Sequence, residues 1–204
     1  MTTPLISRRP FLLGGVALVS LAGCSGAAKT VAEGDMALGA ADGAKVTVVE
    51  YASVTCHICA NWQAEVWPAF KAKYVDTNKV RYVFREFPTP PVEVATAGFL
   101  VARCAGEDKY FDVVHQILAS VPSWDAGKPP RQTLIEVAGA AGLNEQQFQQ
   151  CITDEDAIRA LDGRIREAQA AGVTGTPAFF VNGKAVPDRS LSGLSAAIDA
   201  ELAK

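Results

Sequence analysis

Two cysteines separated by two residues are the part of this sequence with the most direct chemistry. Cys56 and Cys59 enclose His57 and Ile58, after a run typical of a β-strand and before a run typical of a helix. This order places Cys56 at a helix N-terminus, where free backbone N–H groups and the helix dipole stabilise a thiolate. A stabilised thiolate is a good leaving group, so an oxidised pair of this kind gives up its disulfide readily. The pair predicts thiol–disulfide redox chemistry, with no cofactor beyond the disulfide itself.

The same pair has two other chemical interpretations. A structural zinc site needs four ligands, whereas the cysteine pair supplies two, and His115 lies far away in a segment that favours helix packing. We therefore predict no metal site, although a metal-binding module stays the alternative from another functional class. A purely structural disulfide across three residues would close too small a loop to stabilise the chain much. A protonated His57 would instead add positive charge beside Cys56 and tune the redox pair.

Two further cysteines, Cys104 and Cys151, fall near the ends of two predicted helices. Leftover cysteines in an oxidising compartment usually pair. Closing a loop of about 48 residues would stabilise the fold by about 4 kcal/mol in the chain-entropy account. We expect a structural disulfide between them, and the alternative is two buried free thiols.

The elements that must position the first pair are strands and helices in alternation. Residues 45–52 and 80–87 have strand character, and between them residues 57–74 carry apolar side chains at four-residue steps. Pro68 should kink or divide that helix, because a proline inside a helix removes a hydrogen bond. An Asn-Gly turn at 182–183 predicts a hairpin, and residues 191–202 predict a final amphipathic helix.

The stretch between these two parts has a helical period almost throughout. The predicted helices are 94–104, 109–119, 131–141, 145–151 and 155–171, and a loop is expected over 120–130. Strands and helices therefore stand on both sides of a block of helices. This order predicts an α/β fold with a helical block inserted in it.

The first residues have the features of an export signal. Arg8 and Arg9 precede an apolar run shorter than the roughly 20 residues of a membrane-spanning helix. The segment resembles a twin-arginine signal, and residues 21–24 resemble a lipobox in which Cys24 is acylated. An ordinary signal peptide with a spare Cys24 is the alternative. We expect a signal peptide over residues 1–23, and then a lipidated N-terminus and linker over residues 24–43.

Composition limits the partners of this chain. The 204 residues carry a formal net charge of −3 and contain no basic run, which argues against nucleic acid. After removal of a signal the chain is long enough for one sizeable core, with no second long apolar segment. We expect a soluble domain that is tethered to the periplasmic side of a bacterial membrane.

Three motifs give the sequence a family likeness. They are Ser53-x-Thr55-Cys56-x-x-Cys59-Ala60, Arg85-Glu86-Phe87-Pro88, and Val-Thr-Gly-Thr-Pro-Ala-Phe-Phe-Val-Asn-Gly at 173–183. From about residue 45 to the C-terminus, the chain resembles the thioredoxin fold. With its helical block it resembles the DsbA-type thiol-disulfide oxidoreductases of the bacterial envelope. The resemblance implies that residues 44–91 and 172–204 form the thioredoxin-like fold, with an inserted helical domain at 92–171.

The resemblance also implies roles for individual residues. Cys56 matches the attacked sulfur and Cys59 the buried resolving sulfur. Pro177 matches a cis-proline that faces the disulfide and frees the Thr176 backbone to pair with a substrate strand. Glu50 matches a buried acid that exchanges a proton as Cys59 reacts. The residues alone leave two alternatives open, which are a trans proline at the start of a strand and a surface glutamate on an edge strand.

One departure from the family pattern affects the predicted activity. The family's usual dipeptide between the cysteines is Pro-His, whereas this chain has His57-Ile58. Since the dipeptide tunes thiolate stability, the oxidising strength does not carry over from the family.

The resemblance implies an oxidase of reduced or unfolded exported proteins, reoxidised by a quinone-linked membrane partner of the DsbB type. A disulfide isomerase or reductase on the same fold is the alternative, and Thr176 fits either. Isomerases of this type resemble dimers built through a separate N-terminal domain, and the linker before residue 44 is too short for one. We therefore expect a monomeric oxidase.

Overall fold

The computed structural model describes Met1 and residues 32–204, and a five-stranded mixed sheet lies at its centre. The strands are β1 (Met36–Gly39), β2 (Thr47–Ala52), β3 (Arg81–Glu86), β4 (Ala178–Val181) and β5 (Lys184–Val186). Their order is β1-β3-β2-β4-β5, with β2 and β3 parallel and the other neighbours antiparallel. The central strand β2 therefore delivers the chain directly to the cysteine pair.

The described residues also form eight α-helices. They are α1 (His57–Glu65), α2 (Trp67–Phe70), α3 (Val92–Cys104), α4 (Glu107–Asp125), α5 (Pro130–Ala140), α6 (Glu145–Ile152), α7 (Glu155–Ala170) and α8 (Leu191–Leu202). Helices α3 to α7 all lie between β3 and β4 in the chain. Within the described part of the protein, no helix is long and apolar enough to cross a membrane.

The helical segment after the cysteine pair is divided, as Pro68 predicts. Helix α1 ends at Glu65, and α2 begins at Trp67 with Pro68 in its first turn. A proline is tolerated there because the first N–H groups of a helix have no partner inside it. One π-helical turn, Lys71–Val75, follows α2. The division lets α1 remain a short helix that begins at the cysteines.

The sheet has a different apolar layer on each face. Val48 and Ala52 of β2 pack in the larger layer with Cys59 and the inserted helices, whereas Val49 and Tyr51 pack in a smaller layer on the other face. Alternate residues of a strand point to opposite faces, so Glu50 points into the larger layer. This parity places an acidic side chain under the cysteine pair.

The prediction of a linker over residues 24–43 is wrong for its last part. Met36–Gly39 forms β1, which pairs antiparallel with β3, and the Met36 side chain is buried. Asp35, just before this strand, accepts two hydrogen bonds from the Arg85 guanidinium, each at 2.8 Å. The pairing satisfies the backbone hydrogen-bonding groups along one edge of β3. The sequence does not reveal β1, because a strand of four residues that contains Ala and Gly is too short to show an alternating pattern. The predicted signal peptide (beyond Met1) and Cys24 lie outside the described residues.

The predicted loop over residues 120–130 is also partly wrong. Helix α4 continues to Asp125 with Pro122 inside it. Val121 is buried, and the indole N–H of Trp124 donates to the Thr133 hydroxyl at 3.0 Å. These contacts outweigh the hydrogen bond that a proline removes from a helix. The longer helix carries Asp125 to the cysteine pair.

A buried carboxylate joins the sheet to the inserted helices. Glu86, at the end of β3, has a fully buried side chain. It accepts hydrogen bonds from Arg103 of α3, from Arg164 of α7 at 2.8 Å, and from the hydroxyl of Tyr110 in α4 at 3.1 Å. Two guanidinium groups and one hydroxyl thus satisfy a charge that would be costly to bury alone. The network fixes three inserted helices to the end of one strand.

Candidate active site

Cys56 lies at the N-cap of α1, four residues beyond the end of β2. Its sulfur accepts a hydrogen bond from the backbone N–H of Cys59 at 3.1 Å. The turn before it is fixed by the Thr55 hydroxyl, which donates to the Thr89 carbonyl at 2.8 Å, and by the Thr89 N–H, which donates to the Ser53 hydroxyl at 3.0 Å. The chain between β2 and α1 is therefore held by hydrogen bonds, and Cys56 lies half-buried at the start of the helix.

The surroundings of Cys56 favour its thiolate. They lower the pKa of the Cys56 thiol to about 6, first through a hydrogen bond from the Cys59 side chain, and then through the Thr176 side chain and the backbone N–H groups of Cys59 and Ile58. Partial burial opposes this shift. The sulfur is therefore mostly ionised at neutral pH, which makes it both a nucleophile and a good leaving group.

Cys59 has the opposite environment. It is buried in the larger apolar layer. Burial raises the pKa of the Cys59 thiol far above its ordinary value, and the neighbouring Cys56 sulfur and Glu50 carboxylate raise it further. Cys59 therefore stays protonated at neutral pH, so any reaction that forms or consumes its thiolate needs a proton acceptor or donor nearby.

The Thr176–Pro177 peptide bond is cis and faces the cysteine pair. The Thr176 carbonyl oxygen lies 3.6 Å from the Cys56 sulfur and accepts a hydrogen bond from its thiol. Strand β4 begins at the next residue, Ala178, so this turn stands at the end of a strand of the central sheet. The turn brings a backbone edge beside the reactive sulfur.

Glu50 is buried beneath the pair, with 3% of its surface exposed. The Tyr82 hydroxyl of the neighbouring strand donates a hydrogen bond to its carboxylate. Burial raises the pKa of Glu50 to about 8; the hydrogen bond from Tyr82 lowers this pKa, and the Cys56 sulfur raises it. Glu50 is thus a buried acid that can change its charge near neutral pH.

His57 and Ile58 both face solvent. The His57 Nε2 atom lies 3.1 Å from each carboxylate oxygen of Asp125, at the end of α4. The exposed fraction of the two side chains is 62% and 63%, and Ile58 is 53% exposed. The low pKa of Cys56 comes mainly from Cys59, Thr176 and backbone donors, so the imidazole is not its principal cause.

The other predicted cysteines lie apart from this site. Cys104 at the end of α3 and Cys151 in α6 form a disulfide with an S–S distance of 1.93 Å and Cα atoms 5.9 Å apart. His115 in α4 packs against the rings of Trp67 and Phe111. Burial lowers the pKa of His115 to about 4, so it is neutral and structural. Among the described residues, no three potential metal ligands of the His, Cys, Asp and Glu types lie together.

Sequence reasoning missed three contributors to the site. Tyr82 carries no motif, although its place one strand away and on the same face as Glu50 was deducible once the strand register was known. Thr89 and Asp125 reach the cysteine pair from segments that are 34 and 68 residues away from their partners. No local pattern in the sequence predicts contacts between residues so far apart in the chain.

A family model described as thioredoxin matches residues 31–200. The chain belongs to the thioredoxin family. Helices α3 to α7 interrupt the thioredoxin fold between β3 and β4. The prediction of a thioredoxin-like fold with an inserted helical domain is confirmed.

Two relatives of similar sequence carry names that refer to protein-disulfide chemistry. A proposed protein-disulfide oxidoreductase of Rickettsia bellii is 35% identical over 169 residues, which are 82% of this chain and 64% of the relative. The corresponding Rickettsia typhi protein is 35% identical over 170 residues, 82% of this chain and 62% of the relative. This thioredoxin-family chain therefore spans less than two thirds of the length of these relatives.

A solved structure gives the same picture for the fold. The α-DsbA1 of Wolbachia pipientis superposes with a TM-score of 0.75 at 27% identity, over 88% of this chain and 96% of that one. The predicted likeness to DsbA proteins is confirmed at the level of structure.

Proposed function

We propose that this protein is a thiol-disulfide oxidoreductase that transfers its Cys56–Cys59 disulfide to substrate proteins. The observation that carries the proposal is the asymmetry of the pair, in which Cys56 is partly exposed at the N-cap of α1 while Cys59 is buried. The relatives named for protein-disulfide chemistry and the likeness to α-DsbA1 support it. The pair can therefore be attacked at one defined sulfur.

The proposed reaction moves two electrons from a substrate dithiol to the cysteine pair. A substrate thiolate attacks the Cys56 sulfur, the Cys56–Cys59 bond breaks, and Cys59 leaves and takes a proton from Glu50. The second substrate thiolate then attacks the substrate sulfur in the mixed disulfide. The substrate disulfide forms and Cys56 leaves as its stabilised thiolate. The cis Thr176–Pro177 turn offers the backbone edge against which the substrate strand lies during the exchange.

The test uses the full chain carrying Cys24→Ser, oxidised, with a reduced peptide that contains two cysteines. We expect one peptide disulfide per enzyme, complete loss of transfer in Cys56→Ser, and alkylation of reduced Cys56 with a pH midpoint near 6. Trapped mixed disulfide in Cys59→Ser would identify Cys56 as the attacked sulfur. No peptide oxidation by the wild-type pair, with the disulfide intact beforehand, would contradict the proposal.

The redox potential decides between an oxidase and the alternative isomerase or reductase. A thiol pKa of about 6 lies between the values of about 3.5 for a DsbA and about 7 for thioredoxin. We therefore expect equilibration with glutathione to give a potential between about −120 and −270 mV, the values for those two proteins. A potential closer to about −120 mV than to about −270 mV fits the proposed oxidase. A value at the thioredoxin end would favour reduction and assign the opposite direction of electron flow.

We also propose a place for the protein in the cell, on the sequence features of its N-terminus. Arg8-Arg9 and the lipobox ending at Cys24 support export and a lipid anchor on the periplasmic side of a membrane. A monomer on such an anchor would be reoxidised by a quinone-linked partner of the DsbB type. If exported Cys24→Ser protein stays as oxidised in cells as the wild type, the anchor has no part in reoxidation.

A further inference from the structure

In the reaction proposed above, Cys59 exchanges its proton with one buried carboxylate, and a tyrosine hydroxyl donates a hydrogen bond to that carboxylate. Glu50 and Tyr82 have 3% and 1% of their surfaces exposed. The Tyr82 hydroxyl donates to the Glu50 Oε2 atom. Since both groups are buried, water cannot readily replace a hydroxyl that is removed there.

The ring of Tyr82 is fixed by aromatic packing. Its centroid lies 4.7 Å from that of Trp67, 6.0 Å from that of Phe70 and 6.2 Å from that of Phe111. The register of β2 and β3 sets Tyr82 opposite Val48, two residues before Glu50 and on the same face of the sheet. The hydroxyl is therefore positioned by the sheet and by three rings, independently of the carboxylate that it contacts.

The hydroxyl acts as a permanent donor. Burial first, and then the Glu50 carboxylate, raise the pKa of Tyr82 well above its ordinary value, so the phenol stays protonated while Glu50 titrates. The titratable groups that act on the pair are Cys56 and Cys59 at the start of α1 and Tyr110 of α4. The charge of Cys56 raises the pKa of Glu50, whereas the hydrogen bond from Tyr82 lowers it and so favours the charged carboxylate.

We propose that Tyr82 is a positioning residue that holds the Glu50 carboxylate ready to take the proton of Cys59. The proposal rests on the function proposed above and concerns the step in which the active disulfide is re-formed. In that step Cys59 gives its proton to the Glu50 carboxylate and attacks the Cys56 sulfur of a mixed disulfide. The Cys56–Cys59 bond forms, and the bound thiol leaves as a thiolate.

The test follows this step with glutathione as the probe. Reduced full-length protein carrying Cys24→Ser is mixed with oxidised glutathione, and the release of glutathione from its mixed disulfide with Cys56 is timed from pH 6 to 10. The wild-type rate should rise with a midpoint near 8, the pKa of Glu50. In Tyr82→Phe the midpoint should move up by about one pH unit. The rate at pH 7 should then fall about tenfold, because a rise of one pKa unit lowers the ionised fraction of Glu50 about tenfold at that pH. The rates should converge above the higher midpoint.

Three controls separate positioning from a general structural effect. Tyr74→Phe removes another buried hydroxyl that donates to a carboxylate, that of Asp199 at 2.9 Å, and should leave the profile unchanged. In Glu50→Gln, which lacks the base, Tyr82→Phe should have no further effect. Infrared titration of the Glu50 carboxyl in the reduced protein reports the shift of its pKa in Tyr82→Phe without any turnover.

Several results would overturn the role of Tyr82. They are an unchanged Glu50 midpoint in Tyr82→Phe, an equal loss of rate at every pH, or a loss that persists in Glu50→Gln. Failure of the proposed function looks different, because the wild type would then not oxidise the dithiol peptide while the infrared midpoint of Glu50 still moved in Tyr82→Phe.

Discussion

Cys56 and Cys59 are three residues apart, yet their surroundings move their thiol pKa values in opposite directions. At Cys56 the shift comes from hydrogen-bond donors at the start of a helix, and at Cys59 it comes from burial one turn later. The difference makes Cys56 a good leaving group when a second substrate thiolate resolves its mixed disulfide. It also gives a physical reason for the proposed role of Glu50, because a thiol whose pKa is raised so far needs a nearby base before it can react.

Asp125 offers a direct test of what the unusual dipeptide does. Its carboxylate holds His57, the residue next to Cys56. Asp125→Asn removes a negative charge from the surroundings of Cys56. We therefore expect a more stable thiolate and a potential more oxidising by about 5–20 mV, small because the pair is exposed. Equilibration with glutathione at low salt measures the shift.

The control for this substitution is Asp76→Asn, which removes another exposed carboxylate that is paired with a basic side chain, that of Lys71, away from the cysteines. Its potential should equal that of the wild type. A less oxidising potential in Asp125→Asn would mean that Asp125 acts through His57, by holding its proton or by ordering the start of α1, and not through its own negative charge.

Helices decide the character of both cysteine pairs. Cys56 caps the beginning of α1, whereas Cys104 and Cys151 lie at the C-terminal ends of α3 and α6. The negative end of a helix dipole disfavours a thiolate, so the second disulfide has poor leaving groups and resists exchange. The position of each pair along its helix suits the first for transfer and the second for holding two inserted helices together.

The stabilising role of the second disulfide can be measured by denaturation. The double variant Cys104→Ala/Cys151→Ala should lose about 2–4 kcal/mol of unfolding free energy, because the bridge joins residues 47 apart and restricts the unfolded chain. In strong reductant the wild type and the double variant should unfold at nearly the same denaturant concentration. A gap that persists under reduction would assign the loss to packing around the sulfurs.

At the scale of the whole molecule, the inserted helices and the sheet form one unit through Glu86. Arg103, Arg164 and Tyr110 bring three inserted helices to this one carboxylate. The same insertion delivers Asp125 to His57. The geometry of the active site therefore depends on how the insertion is docked as well as on the thioredoxin-like part.

Removing the Glu86 carboxylate alone should lower the free energy of unfolding more than removing all three charged groups of its network. Glu86→Met leaves two guanidinium groups without their acceptor in a largely buried place, and we expect a loss of about 3–5 kcal/mol. The triple variant Glu86→Met/Arg103→Met/Arg164→Met should lose less than the single one, since no unpaired charge remains. Urea unfolding of both variants gives the comparison, and a triple variant that loses more than Glu86→Met would rule out the network as a coupled unit.

Local patterns were enough to predict much of this molecule. The cysteine pair with its strand and helix, the division at Pro68 and the Asn-Gly hairpin are encoded within a few residues each. Strand β1 and the last turn of α4 were not, since the first is four residues long and the second continues through a proline. Both exist because of what they pack against.

The sequence by itself determined which chemistry to propose for this protein, because the nature of a thiol pair depends on residue type, spacing and the helix that follows it. Only the tertiary structure decided how that chemistry is tuned. The partners of the site, Tyr82 under Glu50, Thr176 beside Cys56 and Asp125 on His57, come from three different parts of the chain. Hydrogen bonds and burial depend on distances in space, and the order of residues fixes those distances only after the chain has folded.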